Sequence, residues 1–176
     1  MATEEMKKKK VMVAIDESEC SHYALEWALD NLRDSIISSP SSASAAEEER
    51  TLIVYTAQPL TNLSYLTAAS YGSARTFSIS TPELIRSLQE NQKKIALALL
   101  EQAKEICAKR GVVAETITEA GDPKEAICEA VDKLKVNLLI MGNHGRGPIQ
   151  RVFLGSVSNY CVHNAKCPVL VVKKTG

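Results

Sequence analysis

Five short apolar runs, separated by longer segments with helical periodicity, limit this chain to a small group of folds. The runs are rich in β-branched residues and cover positions 11–15, 52–57, 112–117, 138–141 and 168–172. A strand that is apolar on both faces needs cover on both faces, and alternation with helices favours parallel pairing. Because crossover connections are right-handed, the pattern predicts an α/β fold with a doubly wound, five-stranded parallel sheet.

Helical segments fill the intervals between the runs. Apolar spacing predicts a first helix over 21–33 and a last helix over 152–163. Between them, Thr81 and Pro82 are typical of a helix start, and Gly111 is typical of a helix end. The buried stripe predicted for this long helix is Leu84, Leu88, Ile95, Leu99 and Ile106.

A further helix is predicted to begin after Asp122. Aspartate is a good N-cap, Pro123 suits the first turn, and Glu125 stands where a capping box places a glutamate. Its predicted inner face consists of Ile127, Val131 and Leu134.

The length of 176 residues suits a single domain over 1–176, with 1–9 as an N-terminal tail. Two stretches rich in serine, alanine or threonine, 35–48 and 60–80, are predicted to be flexible insert loops. Neither stretch shows a sustained helical or strand period.

Charge and cysteine content narrow the functional classes. Lysine plus arginine number 21 and aspartate plus glutamate number 21, so no overall field favours nucleic acid or an anionic membrane. The five cysteines form no C-x-x-C pair, and no zinc-type spacing joins them to histidine, so no metal site is expected. The start MATEEMKKKK has no apolar leader, which predicts reduced thiols in the cytoplasm, with the nucleus left open.

Ligands of doubly wound sheets sit beyond the carboxyl ends of the strands, at the point where the strand order reverses. The corresponding turns here are 16–18, 56–59 and 142–147. Asp16 follows the first strand and could contact a ligand, although a strand-end aspartate also serves as a helix cap. The sequence therefore predicts a site assembled from these three turns.

The third turn carries the strongest chemical signal. Gly142, Gly145 and Gly147 follow the fourth strand closely, and Gly155-Ser156 comes at the expected start of a helix. Glycines allow the backbone to approach a ligand, and exposed amides at a helix start bind anions. With serine hydroxyls and arginines nearby, the loop suits a di- or triphosphate, whereas the structural alternative is a glycine-rich turn followed by an ordinary cap. No P-loop and no complete G-x-G-x-x-G is present.

The glycine spacing resembles the ATP-binding motif of the universal stress protein family: Gly142-x-x-Gly145 is followed by nine residues and then by Gly155-Ser156. The resemblance extends to the runs at 11–16, 121–123 and 167–172, and it covers nearly the whole chain except the two insert loops. It implies strand order 3-2-1-4-5 in a three-layer α/β/α fold like that of the adenine nucleotide alpha hydrolases. It also implies a homodimer formed by antiparallel pairing of strand 169–172.

The same resemblance implies roles for matching positions. Asp16 would contact the ribose or adenine region, Thr56 and Ala57 would flank the adenine, and the glycine loop would hold the phosphates. Tyr55-Thr56 stands where the family often has His-Val, which implies different packing around the adenine. The full predicted nucleotide-binding set is Ala14, Ile15, Asp16, Ser18, Thr56, Ala57, Met141, Gly142, Asn143, His144, Gly145, Arg146, Gly147, Gly155, Ser156, Val157 and Ser158.

The predicted function is an adenine-nucleotide-binding, stress-signalling module that takes ATP or AMP, with Mg²⁺ a candidate companion of ATP. No paired-carboxylate motif is present, so at most slow ATP hydrolysis and no catalytic residue are expected. One alternative is an ATP-cleaving enzyme of the related adenylating class, disfavoured because 16–20 lack that class's serine-glycine-glycine loop. Another is a nucleotide-free interaction scaffold, against which the intact glycine spacing counts.

Overall fold

Each of the five apolar runs forms a strand of one parallel sheet in the computed structural model, which describes residues 9–36, 50–59, 82–143 and 154–174. The strands are β1 (Lys9–Ala14), β2 (Arg50–Gln58), β3 (Ala114–Ala120), β4 (Leu138–Gly142) and β5 (Val169–Val172). The helices of these ranges are α1 (Glu19–Asn31), α2 (Arg33–Ile36), α3 (Pro82–Lys109), α4 (Pro123–Leu134) and α5 (Ser156–Asn164).

The strand order is β3-β2-β1-β4-β5, and every neighbouring pair is parallel. This confirms the predicted order. In the central ladder, Ala14 of β1 lies opposite Tyr55 of β2 and Met141 of β4. The chain builds the sheet outward from β1 to β2 and β3, and then returns to add β4 and β5 on the other side of β1. The switch point therefore lies at the carboxyl ends of β1 and β4.

Alternate residues of each central strand enter two separate cores, one on each face of the sheet. Val11 and Val13 pack with residues of α1 and α3, whereas Met12 and Ala14 pack with residues of α4 and α5. These four side chains are at most 6% exposed. A strand buried on both faces needs apolar residues at consecutive positions, which explains why the runs show no alternation with polar residues.

Local signals at several helix ends act as predicted. Asp122 accepts a hydrogen bond from the N–H of Lys124 at 3.1 Å and caps α4, with Pro123 in the first turn. Gly111 has φ +70° after α3, a conformation that favours glycine. In α4, Ile127 and Val131 are buried, as predicted, while Leu134 is only half-buried.

The stripe predicted for α3 is largely wrong. Of its five residues only Leu99 is buried, and Leu84 is 37% exposed. The helix has 28 residues, which at the rise of an α-helix spans about 42 Å, longer than the ~30 Å of the longest strand. Only its second half therefore covers the sheet, through a face that includes small residues: Ala96, Leu99, Leu100, Ala103 and Cys107.

Most element boundaries differ from the prediction by a few residues, and three of the differences have a clear local basis. β3 begins at Ala114 instead of 112, because the N–H of Val112 bonds the Cys107 carbonyl at 3.0 Å and completes the end of α3. α5 begins at Ser156, because Gly155 is extended with ψ 159°. The stretch predicted as a loop from 35 begins in α2, whose Ile36 is 2% exposed and packs in the core.

Some predicted features lie outside the described residues. They are positions 37–48 of the first insert loop, the whole second insert loop at 60–80, and the predicted N-cap Thr81. At the N-terminus, β1 already includes Lys9, the last residue of the predicted tail, because Lys9 pairs with Arg50 of β2.

Candidate functional site

The carboxyl ends of three strands meet at the switch point of the sheet. Beyond β1, the Ile15 N–H donates to the Tyr55 carbonyl at 2.8 Å, and beyond β4, the Asn143 N–H donates to the Val172 carbonyl at 2.9 Å. The strand-end members of the predicted set therefore share one edge of the sheet. They are Ala14, Ile15, Thr56, Ala57, Met141, Gly142 and Asn143.

Buried polar side chains concentrate at this edge. Within the described ranges, the buried polar residues are Ser21, Thr56, Asn143 and Ser158, each at most 7% exposed. They belong to the first turn of α1, the end of β2, the residue after β4 and the first turn of α5. A buried polar group is costly unless it is hydrogen-bonded, so a cluster of four at one edge indicates a site rather than a core.

The turn between β1 and α1 is held by a compact hydrogen-bond network. Asp16 Oδ1 accepts from the Ser18 N–H at 2.9 Å and from the Ser18 hydroxyl. Ser18 in turn caps α1 by accepting from the Ser21 N–H. The Ser21 hydroxyl lies 3.0 Å from the Asp16 nitrogen and 2.9 Å from the Asp16 carbonyl oxygen. One Asp16 oxygen therefore serves the helix start, and the exposed carboxylate still faces solvent at the site.

Ser21 was not among the residues predicted from the sequence. Its position three residues after the N-cap Ser18 is a usable signal, because a hydroxyl in the first turn of a helix can reach back to the preceding loop. Its burial depends on α1 packing against β4, which the local sequence does not reveal.

Thr56 is a buried hydroxyl without a protein partner in the part of the chain that the structure describes. Its side chain is 3% exposed and follows Leu52 and Val54 on the α1–α3 face of β2. A hydroxyl in this situation costs about 1–3 kcal/mol relative to a bonded one. A ligand atom at the strand end would remove that cost.

Tyr55, the first residue of the pair that departs from the family pattern, has its backbone at this edge but its side chain in the core. Its side chain is fully buried in the α4–α5 core, with its hydroxyl 3.5 Å from Glu119 Oε2. Burial, with Glu119 nearby, raises the pKa of this phenol, so it stays protonated. The tyrosine that stands where the family often has histidine is thus accommodated within the core.

The start of α5 is tied to the end of β4 by one carbonyl group. The Gly155 N–H donates to the Asn143 carbonyl at 2.9 Å, and the Ser158 hydroxyl lies 3.1 Å from the same oxygen. Ser158 Oγ is also 3.0 Å from the Gly155 carbonyl. The hydroxyl predicted to contact phosphate is therefore engaged with the backbone, where it fixes the orientation of α5.

The start of α5 has no side-chain cap from its N-cap residue. Gly155 is the N-cap and offers no capping side chain, and the first turn contains no acidic residue. The N–H groups of Ser156, Val157 and Ser158 have no acceptor within the helix, as at any helix start. Together with the helix dipole, these three donors form a site suited to an anion.

Gly142 has a packing role that its spacing did not reveal. A Cβ atom on this residue would lie 2.7 Å from the carbonyl carbon and oxygen of Cys20, and 2.9 Å from the Ser21 nitrogen. Glycine is therefore required for the close approach of α1 to the end of β4. The remaining loop residues of the predicted set, His144, Gly145, Arg146 and Gly147, lie outside the described residues.

A surface ion pair borders the site. Lys174 Nζ lies 2.9 Å from Glu19 Oε2 and joins the segment after β5 to the first residue of α1. Hydrogen bonding to Lys174 lowers the pKa of Glu19, and the same bond raises the pKa of Lys174. Both side chains are exposed, so the pair contributes little stability.

A depression of about 550 Å³ lies at the carboxyl end of β3. Its charged lining is mainly acidic, and its one lysine, Lys133, is 2.7 Å from the Glu119 carboxylate. Its negative charge would repel a nucleotide phosphate. The acidic residues are Glu119, Asp122, Glu125 and Glu129.

The described residues contain neither a metal-binding cluster nor a membrane-spanning helix. No group of three or more histidine, cysteine, aspartate or glutamate side chains in them is arranged to hold a metal ion. None of their helices combines the length and apolar character needed to cross a membrane.

Comparison with known proteins places the whole sheet in one family. The model of the universal stress protein family matches residues 8–173. Universal stress protein YxiE of Bacillus subtilis is 30% identical over 165 residues, which cover 93% of this chain and 98% of that one. Universal stress protein A-like protein of Arabidopsis thaliana is 38% identical over 95 residues, a segment that spans 54% of each chain.

Among solved structures, a universal stress protein family protein from Arabidopsis thaliana with AMP bound is similar to this chain. It has a TM-score of 0.61 and 26% identity, and the match covers 96% of this chain and 93% of that one. The two proteins therefore share their fold over nearly their full lengths.

Proposed function

The chain belongs to the universal stress protein family, and on that premise we propose that it binds an adenine nucleotide, ATP or AMP, at the carboxyl edge of its sheet. The relative from Arabidopsis thaliana that carries AMP supports this choice of ligand. The observation that carries the proposal is the uncapped start of α5, close to the Asn143 carbonyl at the end of β4.

The phosphates would bind at α5. The N–H groups of Ser156, Val157 and Ser158 supply donors, and the dipole of the helix favours the negative charge. Gly145, Arg146 and Gly147 would complete the phosphate site from the loop. Ser158 would contribute through its N–H, because its hydroxyl already contacts the Asn143 and Gly155 carbonyls.

The nucleoside would lie across the ends of β1 and β2. Asp16 would accept from a ribose hydroxyl through the carboxylate oxygen that Ser18 does not use. Thr56 would hydrogen-bond the base or ribose, and this contact would satisfy its buried hydroxyl. Ala14, Ile15, Ala57 and Met141 offer apolar surface nearby, as an adenine ring requires.

The protein would act as a nucleotide-responsive module of stress signalling rather than as an efficient enzyme. Asp16 is the carboxylate best placed at the edge, and its Oδ1 is committed to Ser18. A carboxylate held in this way is poorly oriented to activate water, so any ATP hydrolysis would be slow. Mg²⁺ would accompany ATP through its phosphate oxygens.

A charge placed at the start of α5 tests this assignment. Ser156 is exposed, and Ser156→Asp would add an anion where the phosphate is expected to bind. A carboxylate in the first turn also favours the helix dipole, so the variant should fold at least as well as the parent chain. We expect its affinity for ATP in calorimetry to fall by about tenfold or more.

Asn164→Asp is the matched control, because it adds the same charge to an exposed residue at the other end of α5. Its ATP affinity should stay within about twofold of the parent value. Equal affinity of the Ser156→Asp protein and the parent chain would remove the phosphate site from α5.

A further inference from the structure

Three of the five cysteines gather on one face of the sheet, although the sequence separates them widely. Cys128 of α4 and Cys161 of α5 have their sulfur atoms 3.8 Å apart, although they are 33 positions apart in the sequence. Cys167, just before β5, packs against the same core. Cys107 belongs to the opposite core, and Cys20 lies in the first turn of α1.

The geometry of the closest pair is compatible with a covalent bond. A disulfide needs sulfur atoms about 2.05 Å apart and β-carbons about 3.8 Å apart. The Cys128 and Cys161 sulfurs are 3.8 Å apart, in van der Waals contact, and would have to approach by about 1.8 Å to form the bond. Both residues lie in regular helices that pack against each other, so the backbone holds them side by side.

The two thiols differ in access to solvent. Cys161 is fully buried, whereas Cys128 is half-buried and provides the route by which a small oxidant arrives. Burial raises the pKa of Cys161 to about 12 and also raises the pKa of Cys128. Because the thiolate is the reacting form, oxidation of this pair should be slow near neutral pH and faster in alkaline solution.

We propose that Cys128 and Cys161 form an oxidation site, at which a peroxide converts the two thiols to a disulfide between α4 and α5. In the first step the Cys128 thiol loses its proton, the thiolate attacks hydrogen peroxide and becomes sulfenic acid, and the leaving hydroxide takes up that proton as water. In the second step the Cys161 sulfur attacks the Cys128 sulfur, and the sulfenic oxygen leaves as a second water. Two thiols and one peroxide thus give one disulfide and two waters.

The bond would tie α5 to α4. Closing a loop of this length restricts the unfolded chain and should raise the thermal midpoint of the oxidised protein by several degrees. It would also fix the helix whose first turn carries the proposed phosphate donors. The oxidation site itself does not depend on nucleotide binding.

Peptide mapping of the full chain tests the site directly. The reduced protein is treated with hydrogen peroxide at pH 8.5, free thiols are alkylated, and the digest is analysed without reduction. We expect a linked peptide containing Cys128 and Cys161, lighter by two hydrogens than its two parts. Its rate of formation should rise steadily between pH 7 and 8.5, because the fraction of reacting thiolate grows with pH.

Variants separate this pair from the other thiols. Cys128→Ala should abolish the linked peptide and the rise in thermal midpoint, whereas Cys107→Ala and Cys167→Ala should retain both. Peptide mapping of the parent chain decides between the outcomes even if a variant folds poorly. A link through Cys167 or Cys20, oxidation that stops at sulfinic acid, or no loss of hydrogen would each overturn the proposal.

Discussion

Thr56 combines a hydroxyl with nearly complete burial, and no protein acceptor or donor for that hydroxyl is found in the described parts of the chain. If the group serves a ligand, removing it should affect stability and binding in opposite directions. We expect Thr56→Val, which keeps the shape, to raise the free energy of unfolding by about 1 kcal/mol. Affinity for ATP or AMP should fall by about tenfold. Urea unfolding and calorimetry measure the two effects.

Thr51→Val provides the control at the residue scale, since Thr51 is half-buried near the amino end of the same strand, away from the site. It should leave nucleotide affinity unchanged. A Thr56→Val protein that lost stability while keeping its affinity would indicate that the hydroxyl serves the fold.

At the scale of elements, the contact between α1 and β4 depends on the absence of one side chain. Gly142→Ala would place a Cβ 2.7 Å from backbone atoms of Cys20, which cannot move without shifting the start of α1. We expect a loss of about 1–3 kcal/mol in the free energy of unfolding, measured by urea denaturation. Gly121→Ala is the comparison, because its Cβ would meet only the Ala126 Cβ, at 3.3 Å. A smaller effect at Gly142 than at Gly121 would contradict this account of the packing.

The elements also show how far the sequence could be interpreted. Apolar runs such as 11–15 predict strands because a sheet covered on both faces requires them. The prediction of a buried stripe that begins at Leu84 was wrong, because periodicity alone does not reveal where a long helix extends past the sheet. The glycine spacing correctly indicated a helix start at Gly155-Ser156, where α5 begins, and anion binding there stays a prediction. The engagement of the Ser158 hydroxyl and the contact of Cys128 with Cys161 depend on tertiary packing, which local patterns do not encode.

For the whole molecule, β5 is an edge of the sheet, with β4 as its neighbour in the described ranges. Its residues Val169, Leu170 and Val171 are half-buried, and an apolar edge favours pairing with a second copy. We expect sedimentation of the chain at micromolar concentration to give twice its mass of 19.2 kDa.

Val171→Lys, which adds a charge to this edge, should shift the population towards monomer. Val162→Lys on α5, where the parent side chain is already 43% exposed, should not. A parent chain that sediments as a monomer would contradict the dimer.

The central claim is that the carboxyl edge of this sheet holds an adenine nucleotide, and calorimetric titration of the purified full chain with ATP, AMP and GTP tests it most directly. The account predicts saturable, one-to-one binding of ATP or AMP at submillimolar concentration, with weaker binding of GTP. Absence of detectable binding of both adenine nucleotides at millimolar concentration would contradict it.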